Sequence, residues 1–575
     1  MRRNRLDMTQ GKNITESASF KLCLASSFLF CSVVFIALPA SLYGGNADEF
    51  SWPISHIILS YWPLVLGTLL IILLSMVILP STLRLAWAAG CAALALYVWI
   101  YGSFVIHDFG AIDGDRWVIK SPRVRATAEI VMAITGIVVA FLVARARPAL
   151  VSGIITLVAL GNVASVLPVM SADERTAPTT RDASSLYAFS AQKNVLVVLL
   201  DALQSDIFEE VLNENAELAK MLDGFTFFPD TAGVAPTTYL TIPALHSGLV
   251  YDRKMSPKAY YQAGVVQGSF LNELARGGYN TAIINPVTGA CPRDVGLCIT
   301  DTDVLGGGGN ASLDKDRSTI LDLVLLRLTP LPFKRDVYNE GKWRIAPLMQ
   351  DPRLTHFVLR GNALLAELAT KLTTTSEQPT AKFLHLFGTH LPIVLDQDCQ
   401  YRAETLELTR GNYKLQVRCS LNALELVLSA MKTHGIYDRA AIVLLADHGT
   451  ARMTSERVLN PQPSDLVSPA LIGPANPTLA IKPPNARGAM KKSDDLLSIA
   501  DVPSILCDAI GDCHVAARPR EAARVYNFWR YDRKHLGKDR IPGIVGYEIS
   551  GPLFNSESWR RIEERSPESL DVEPN

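Results

Sequence analysis

Four residues that stand just after short apolar runs, and one threonine-rich segment between them, hold the chemistry available to this chain. Asp201 follows "NVLVVLL" (194–200), His390 lies three residues past "FLHLF" (383–387), and Asp447 and His448 follow "AIVLLA" (441–446). Short, wholly apolar runs read as strands buried on both faces, and ligands in open α/β sheets bind at the carboxyl ends of such strands. Two carboxylates and an imidazole converging on one sheet edge repel one another or stay unsatisfied without a cation, and they suit zinc or manganese. The segment "GVAPTTYLTIPALHSG", Gly233 to Gly248, carries Thr237, Thr238 and Thr241 ahead of a proline and a Ser-Gly turn. A threonine hydroxyl attacks nothing unaided at neutral pH; it needs a base, a metal or a helix N-terminus close by. At this level the segment is either a plain loop entering a helix or the home of a nucleophile.

The elements that must position these residues divide the chain sharply. It has 575 residues, 49% of them hydrophobic, with mean hydropathy +0.18 and net charge -1, so nothing points to a nucleic-acid partner. The runs 22–47, 50–83, 85–106 and 148–172 lack Asp, Glu, Lys and Arg, and 130–144 is a shorter apolar run with Glu129 at its edge. A spanning helix takes roughly 20 apolar residues, so five spans are expected within 1–172. Arg2, Arg3, Arg5, Lys12, Lys21, Arg84, Arg145 and Arg147 mark the cytoplasmic side by the positive-inside rule, which puts everything after residue 172 outside. The loop Asp108–Arg125 breaks the pattern with four basic residues, partly offset by Asp108, Asp113 and Asp115.

A polar stretch, 173–193, reads as a linker. The domain expected over 194–555 alternates apolar strands with helical stretches such as "GSFLNELARGG" and "SLNALELVLSAMKTHG", which argues a mostly parallel α/β sheet. "VGYEISGPLFNSESW" reads as an appended strand pair, and 556–575 as a polar tail. Cys23, Cys31 and Cys91 lie in spans, and the other six fall as local pairs, 291 with 298, 399 with 419 and 507 with 513, which in an exported domain reads as disulfides.

Taken in order after five spans, "VLLDALQSD", "GVAPTTYLTIPALHSG", "FLHLFGTHLP" and "LLADHG" resemble the alkaline phosphatase superfamily. Within it they are most similar to the membrane-anchored sulfatase-like branch, which includes lipoteichoic acid synthases and lipid A phosphoethanolamine transferases. The resemblance covers roughly residues 193 to 515. It implies one divalent metal held by Asp201, Thr238, Asp447 and His448. Thr238 stands five residues before Pro243 and ten before Gly248, the registers of the nucleophile in phosphoethanolamine transferases and in sulfatases; Thr237 fits neither. Thr241 takes the place of a serine in the transferase pattern. His390, and His385 within its strand, would bind phosphate oxygens or protonate a leaving group; the strand position of His385 favours a structural role, the loop position of His390 a functional one, and His246 reads as either.

True sulfatases convert a Cys or Ser to formylglycine within a Cys/Ser-x-Pro-x-Arg motif. Thr238 cannot be so converted and no Arg follows it, which speaks against sulfate-ester hydrolysis. Ala202 after Asp201, in place of a second Asp, argues for one metal. The resemblance therefore implies phosphoryl transfer from a phospholipid to a glycan at the periplasmic face of a bacterial inner membrane, through a phosphothreonine. A phosphodiesterase, phosphatase or sulfatase-type hydrolase, and a non-catalytic lipid-binding regulator, are the alternatives.

Overall fold

The computed structural model describes residues 2–562 apart from 48–49, 108–122, 174–181, 306–309, 342, 351–355, 403–404, 451–452, 456, 458–466, 468, 520–521, 530–540 and 542. The basic loop at 108–122 and the tail beyond 562 lie outside the described residues.

Among the described residues, five helices are long and apolar enough to cross a membrane: Glu16–Gly44, Ile54–Ile78, Ser81–Phe104, Val124–Ala146 and Pro148–Ser171. The fourth outgrows its apolar run because Glu129 is satisfied where it sits. Its carboxylate accepts the Tyr101 hydroxyl at 2.9 Å and the Leu331 amide at 3.1 Å, and His107 Nε2 lies 2.6 Å away.

The chain forms two compact units, and they divide it differently from the reading of 194–555 as one continuous domain. Residues 306–355 cluster with 1–180, while 181–305 and 356–575 form the second unit. The physical reason is apolar packing. In the helix Asn310–Leu328, Ile320, Leu321 and Val324 are buried in the same core as Leu29, Ile54, Ala88 and Ile155 of the spans.

The second unit is built on strands β1 (Ala188–Ser190), β2 (Asn194–Leu200), β3 (Thr226–Phe227), β4 (Asn280–Ile284), β5 (Leu297–Ile299), β6 (Thr373–Ser376), β7 (Thr380–Leu386), β8 (Ala441–Leu445), β9 (Leu479–Lys482), β10 (Lys491–Lys492), β11 (Arg524–Phe528), β12 (Val545–Ile549) and β13 (Trp559–Arg561). Eight of them form one sheet in the order β10-β3-β9-β8-β2-β7-β4-β5, and β9 alone runs against its neighbours. The three apolar runs named above are β2, β7 and β8, and a fourth, "TAIIN" (281–285), is β4; the four lie side by side at the centre.

The alternation of β2 shows why its run is wholly apolar. Val195, Val197 and Leu199 pack on one face with Ile242 and Leu245 of the helix Thr238–Ser247. Leu196, Val198 and Leu200 pack on the other with Leu365 and Leu424 of the helices Phe357–Lys371 and Arg410–Thr433. Both faces are covered, so each side chain contributes burial, about 1.5–3 kcal/mol apiece.

Two expectations are corrected at the C-terminus. The appended pair is a three-stranded antiparallel sheet, β11-β12-β13, and Trp559–Arg561, assigned to the polar tail, supplies its third strand. Trp559 is buried and its ring meets those of Tyr526 and Tyr547 edge-on, which ties the strand down. The stretch read as a linker also carries β1, paired with β6. The three local cysteine pairs are bonded as read, 291–298, 399–419 and 507–513, and Cys23, Cys31 and Cys91 are free.

One core residue makes a pH prediction. Lys382, in the middle of β7, is fully buried; its ammonium donates to the Ser185 carbonyl at 2.7 Å and sits over the Phe189 ring. Burial pushes its pKa down from 10.5 to about 7. Between those values the unfolded chain binds more protons than the folded one, so this residue's contribution to stability rises with pH across that window. Below about 7 both states hold the proton and the full burial penalty stands. Lys382→Met should therefore raise the thermal unfolding temperature of the full chain in detergent near pH 7. The difference from wild type should shrink as pH approaches 10. A constant difference across pH would refute it.

Candidate active site

The site lies at the carboxyl ends of β2, β7 and β8, and each polar residue there is fixed by the turn that ends its strand. Asp201 continues the ladder for one residue, its amide donating to the Leu386 carbonyl at 2.9 Å. The backbone then turns through Ala202 at φ 60°. A non-glycine residue in that region carries strain of order 1 kcal/mol or more. Both of its backbone groups are tied: the Ala202 amide donates to Asp447 Oδ1 at 3.1 Å, and its carbonyl accepts the Tyr413 hydroxyl at 2.9 Å. Thr389 Oγ1 donates to the Asp201 carbonyl at 2.6 Å. After β8, Asp447 and His448 precede Gly449, where a Cβ would stand 2.0 Å from the Gly473 carbonyl oxygen. Only glycine lets the chain pass there.

Thr238 arrives from another direction. It is the first residue of the helix Thr238–Ser247, whose N-terminal end carries the partial positive charge of the helix dipole. Thr238 Oγ1 lies 3.2 Å from Asp201 Oδ2 and 3.4 Å from His448 Nε2. Thr237 precedes the helix, and its hydroxyl is buried without a hydrogen bond. The structure thus brings together Asp201, Thr238, Asp447 and His448.

These residues fit a divalent cation. Donor atoms of Asp201, Asp447 and His448 lie within 4.8 Å of one another, and all three residues are buried. Asp201 Oδ1 and Asp447 Oδ2 are buried and accept no hydrogen bond. With His448 Nδ1–H donating to the Gly449 carbonyl at 2.8 Å, Nε2 turns its lone pair to the same point. Converging lone pairs of this kind, buried and unpaired, are costly without a positive charge among them. The local field says the same. Burial alone would lower the His448 imidazole, but the Asp447 and Asp201 charges raise it. Burial would likewise raise Asp201, yet the His385 hydrogen bond and the charges of His390, His385 and His448 hold it below the usual carboxylate range.

The two histidines of "FLHLFGTH" separate in role. His385 is buried, and its Nε2 lies 2.9 Å from Asp201 Oδ2. Its Nδ1 is 3.3 Å from the Asn285 carbonyl, while Asn285 Nδ2 donates to the His385 carbonyl at 2.9 Å. His385 stands behind the Asp201 carboxylate and orients it. His390 is about one-third exposed, its Nδ1 is held 2.5 Å from the Leu391 carbonyl, and its Nε2 lies 3.9 Å from Asp201 Oδ1. It is the imidazole at the mouth. His246 is a core residue: buried, 2.8 Å from the Ser269 hydroxyl, against the Phe383 ring, and pushed down by burial to about 3. Thr241 is buried too, its hydroxyl directed to the Ala235 carbonyl at 3.4 Å.

Sequence reasoning passed over Asn285, Thr389 and Tyr413. Asn285 ends the β4 run as Asp201 ends β2, so the strand-end rule had marked its place. Nothing in the sequence marked Tyr413, which reaches the site from mid-domain by tertiary packing alone.

Comparison with known proteins places the chain. No curated protein matches it. Solved structures of similar fold include the lipoteichoic acid synthase LtaP from Listeria monocytogenes, 13% identical with a TM-score of 0.36, covering 68% of this chain and 84% of that one. The C-terminal periplasmic domain of EcEptC from Escherichia coli is 14% identical, TM-score 0.35, covering 63% and 97%. The phosphonate monoester hydrolase SpPMH from Silicibacter pomeroyi is 13% identical, TM-score 0.34, covering 62% and 85%. The family model described as Sulfatase matches residues 193–511, more than half of the chain and the whole span that carries the site. The chain therefore belongs to the sulfatase family, a member with five helices long and apolar enough to cross a membrane among its described residues and with a buried Asp201–Asp447–His448 group that could hold a metal ion.

Proposed function

We propose that this protein moves phosphoglycerol or phosphoethanolamine from a membrane phospholipid to a cell-envelope glycan, through a phosphothreonine at Thr238, on the periplasmic side of a bacterial inner membrane. The observation that carries the reading is the Thr238 hydroxyl itself. It stands at the start of its helix, against Asp201 and His448, where a hydrolytic sulfatase needs a convertible Cys or Ser. Five apolar helices in the same chain suit a donor presented at a lipid surface.

Asp201, Thr238, Asp447 and His448 would hold one zinc or manganese ion, which when bound lowers the pKa of the threonine hydroxyl and offsets charge on the phosphoryl oxygens. Thr238 Oγ1 attacks phosphorus in line with the diacylglycerol oxygen. The new P–O bond forms as the bond to diacylglycerol breaks. The Thr238 proton leaves towards Asp201 Oδ2, the acceptor it already faces. His390 Nε2 protonates the departing oxygen. In the second half a glycan hydroxyl attacks the phosphothreonine, His390 takes its proton, and Thr238 recovers its own as it leaves. His385 keeps Asp201 oriented through both halves.

The test uses the full chain in vesicles with phosphatidylglycerol or phosphatidylethanolamine, each labelled in the headgroup, without acceptor. Label should appear on Thr238 with one of them, and diacylglycerol should accumulate. Steady release of small phosphate esters, equal with and without glycan, would instead establish a hydrolase.

A further inference from the structure

Residues 331–341 and 343–349 follow the helix Asn310–Leu328 as short helices and turns within the first unit, and they are held there by buried carboxylates rather than by chain continuity alone. Asp316 Oδ2 accepts the Ser51 and Trp52 amides at 2.7 and 2.8 Å. Glu129 Oε2 accepts the Leu331 amide, and Asp322 accepts the amides of Arg344, Ile345 and Ala346 at 2.7–2.9 Å. Span residues complete the attachment: Tyr61 and Tyr97 donate to the carbonyls of Arg317 and Leu328, and the Gly102 carbonyl accepts Arg327 Nε. Every attachment point on the spans, residues 51–61, 97–102 and 129, lies at the end opposite to Arg84 and Arg145. The segment therefore sits at the outer ends of the helices.

Its free face is apolar. Phe333 is 52% exposed and Leu348 83%, with Pro332 and Pro347 exposed beside them. One exposed leucine on a soluble surface means nothing. Here Ile345 and Met349 of the same segment pack against the core of the span bundle. The neighbouring ends of the third and fourth spans also expose Phe104, Ile106 and Val124. Arg344 is exposed between the apolar positions, its Nε donating to the Asp336 carbonyl at 2.6 Å, and a basic side chain so placed can reach headgroup phosphates while its neighbours enter acyl chains.

We propose that 331–341 and 343–349 form a lipid-contacting ledge: Phe333 and Leu348 enter the outer leaflet beside the spans, and Arg344 lies near its phosphates. The proposal rests on the spans and not on the transfer reaction, and its test does not depend on turnover. Phe333→Cys and Leu348→Cys are made singly in the full chain, labelled with an environment-sensitive fluorophore and placed in phosphatidylglycerol vesicles. Leu426→Cys, an exposed position on the catalytic unit, is the control. The unsubstituted chain corrects for Cys23, Cys31 and Cys91. Brominated acyl chains should quench the labels at 333 and 348, and aqueous iodide should not; the label at 426 should behave in reverse. Iodide quenching at 333 and 348 equal to that at 426 overturns the proposal. Protection from both quenchers also overturns it, because a protein surface then covers the ledge.

Discussion

Thr238→Ala should abolish both the covalent adduct and turnover, by a factor on the order of 10⁴ to 10⁶, the scale on which loss of a nucleophile acts. Neither neighbouring threonine is placed to replace it: Thr241 is turned to the Ala235 carbonyl, and the Thr237 hydroxyl is buried without a hydrogen bond. Thr238→Ser should keep measurable activity, since the oxygen remains and only the methyl that restricts its rotamer is lost. Thr237→Ala should be mild, because its hydroxyl makes no capping bond to lose. The adduct should weigh as phosphoglycerol or phosphoethanolamine on Thr238, and glycan should discharge it without releasing the free phosphate ester. Mass spectrometry of the trapped protein reads all of this. A Thr238→Ala protein that still turns over would remove the nucleophile assignment.

The second large effect concerns the metal. Asp447→Asn and His448→Ala should each lose the ion entirely, and activity with it, while the fold persists. Asp447→Asn is the informative change. Its Oδ1 still accepts the Ala202 amide, so the turn after β2 is kept, while one of two buried negative charges disappears, each of which has one oxygen without a hydrogen bond. Metal-free Asp447→Asn should therefore unfold at a temperature equal to or above that of metal-free wild type, although the loaded wild type exceeds both. An ion present at a thousand times its Kd stabilises by about 4 kcal/mol. His385→Gln tests the orienting role separately: metal affinity should fall by about 10- to 100-fold, not vanish. Elemental analysis alongside thermal unfolding decides these outcomes. Full occupancy in Asp447→Asn or His448→Ala would show that other residues hold the ion.

Much of the catalytic unit was legible because its signals are local. A strand buried on both faces is mostly apolar, so β2, β4 and β8 stood out as apolar runs, and β7 as a run broken only by Lys382 and His385. The first polar residue after each run falls at a sheet edge whatever else the chain does, and this placed Asp201 and the Asp447–His448 pair. The spans were legible for the same reason, since lipid demands unbroken apolar length. The cysteine pairs were close enough in sequence for loop closure to favour them.

What the tertiary structure alone decided is the role of each residue that acts across the fold. His385 and His390 share one short motif. Which of them turns inward to orient Asp201 and which faces the mouth depends on how β7 lies between β2 and β4. Residues 306–355 read as part of the second unit because nothing in their local composition separates them from it. Only the partners of Asp316 and Ile320, distant in sequence, assign them to the unit of the apolar helices. Trp559–Arg561 looked like the start of a polar tail, since a three-residue edge strand has too few positions to show a period. Its place depends on the register with β12 and on the aromatic contacts of Trp559. Local composition determines which residues are buried and where strands end; which buried group meets which is set by the order of strands in the sheet, and that order is a property of the whole chain.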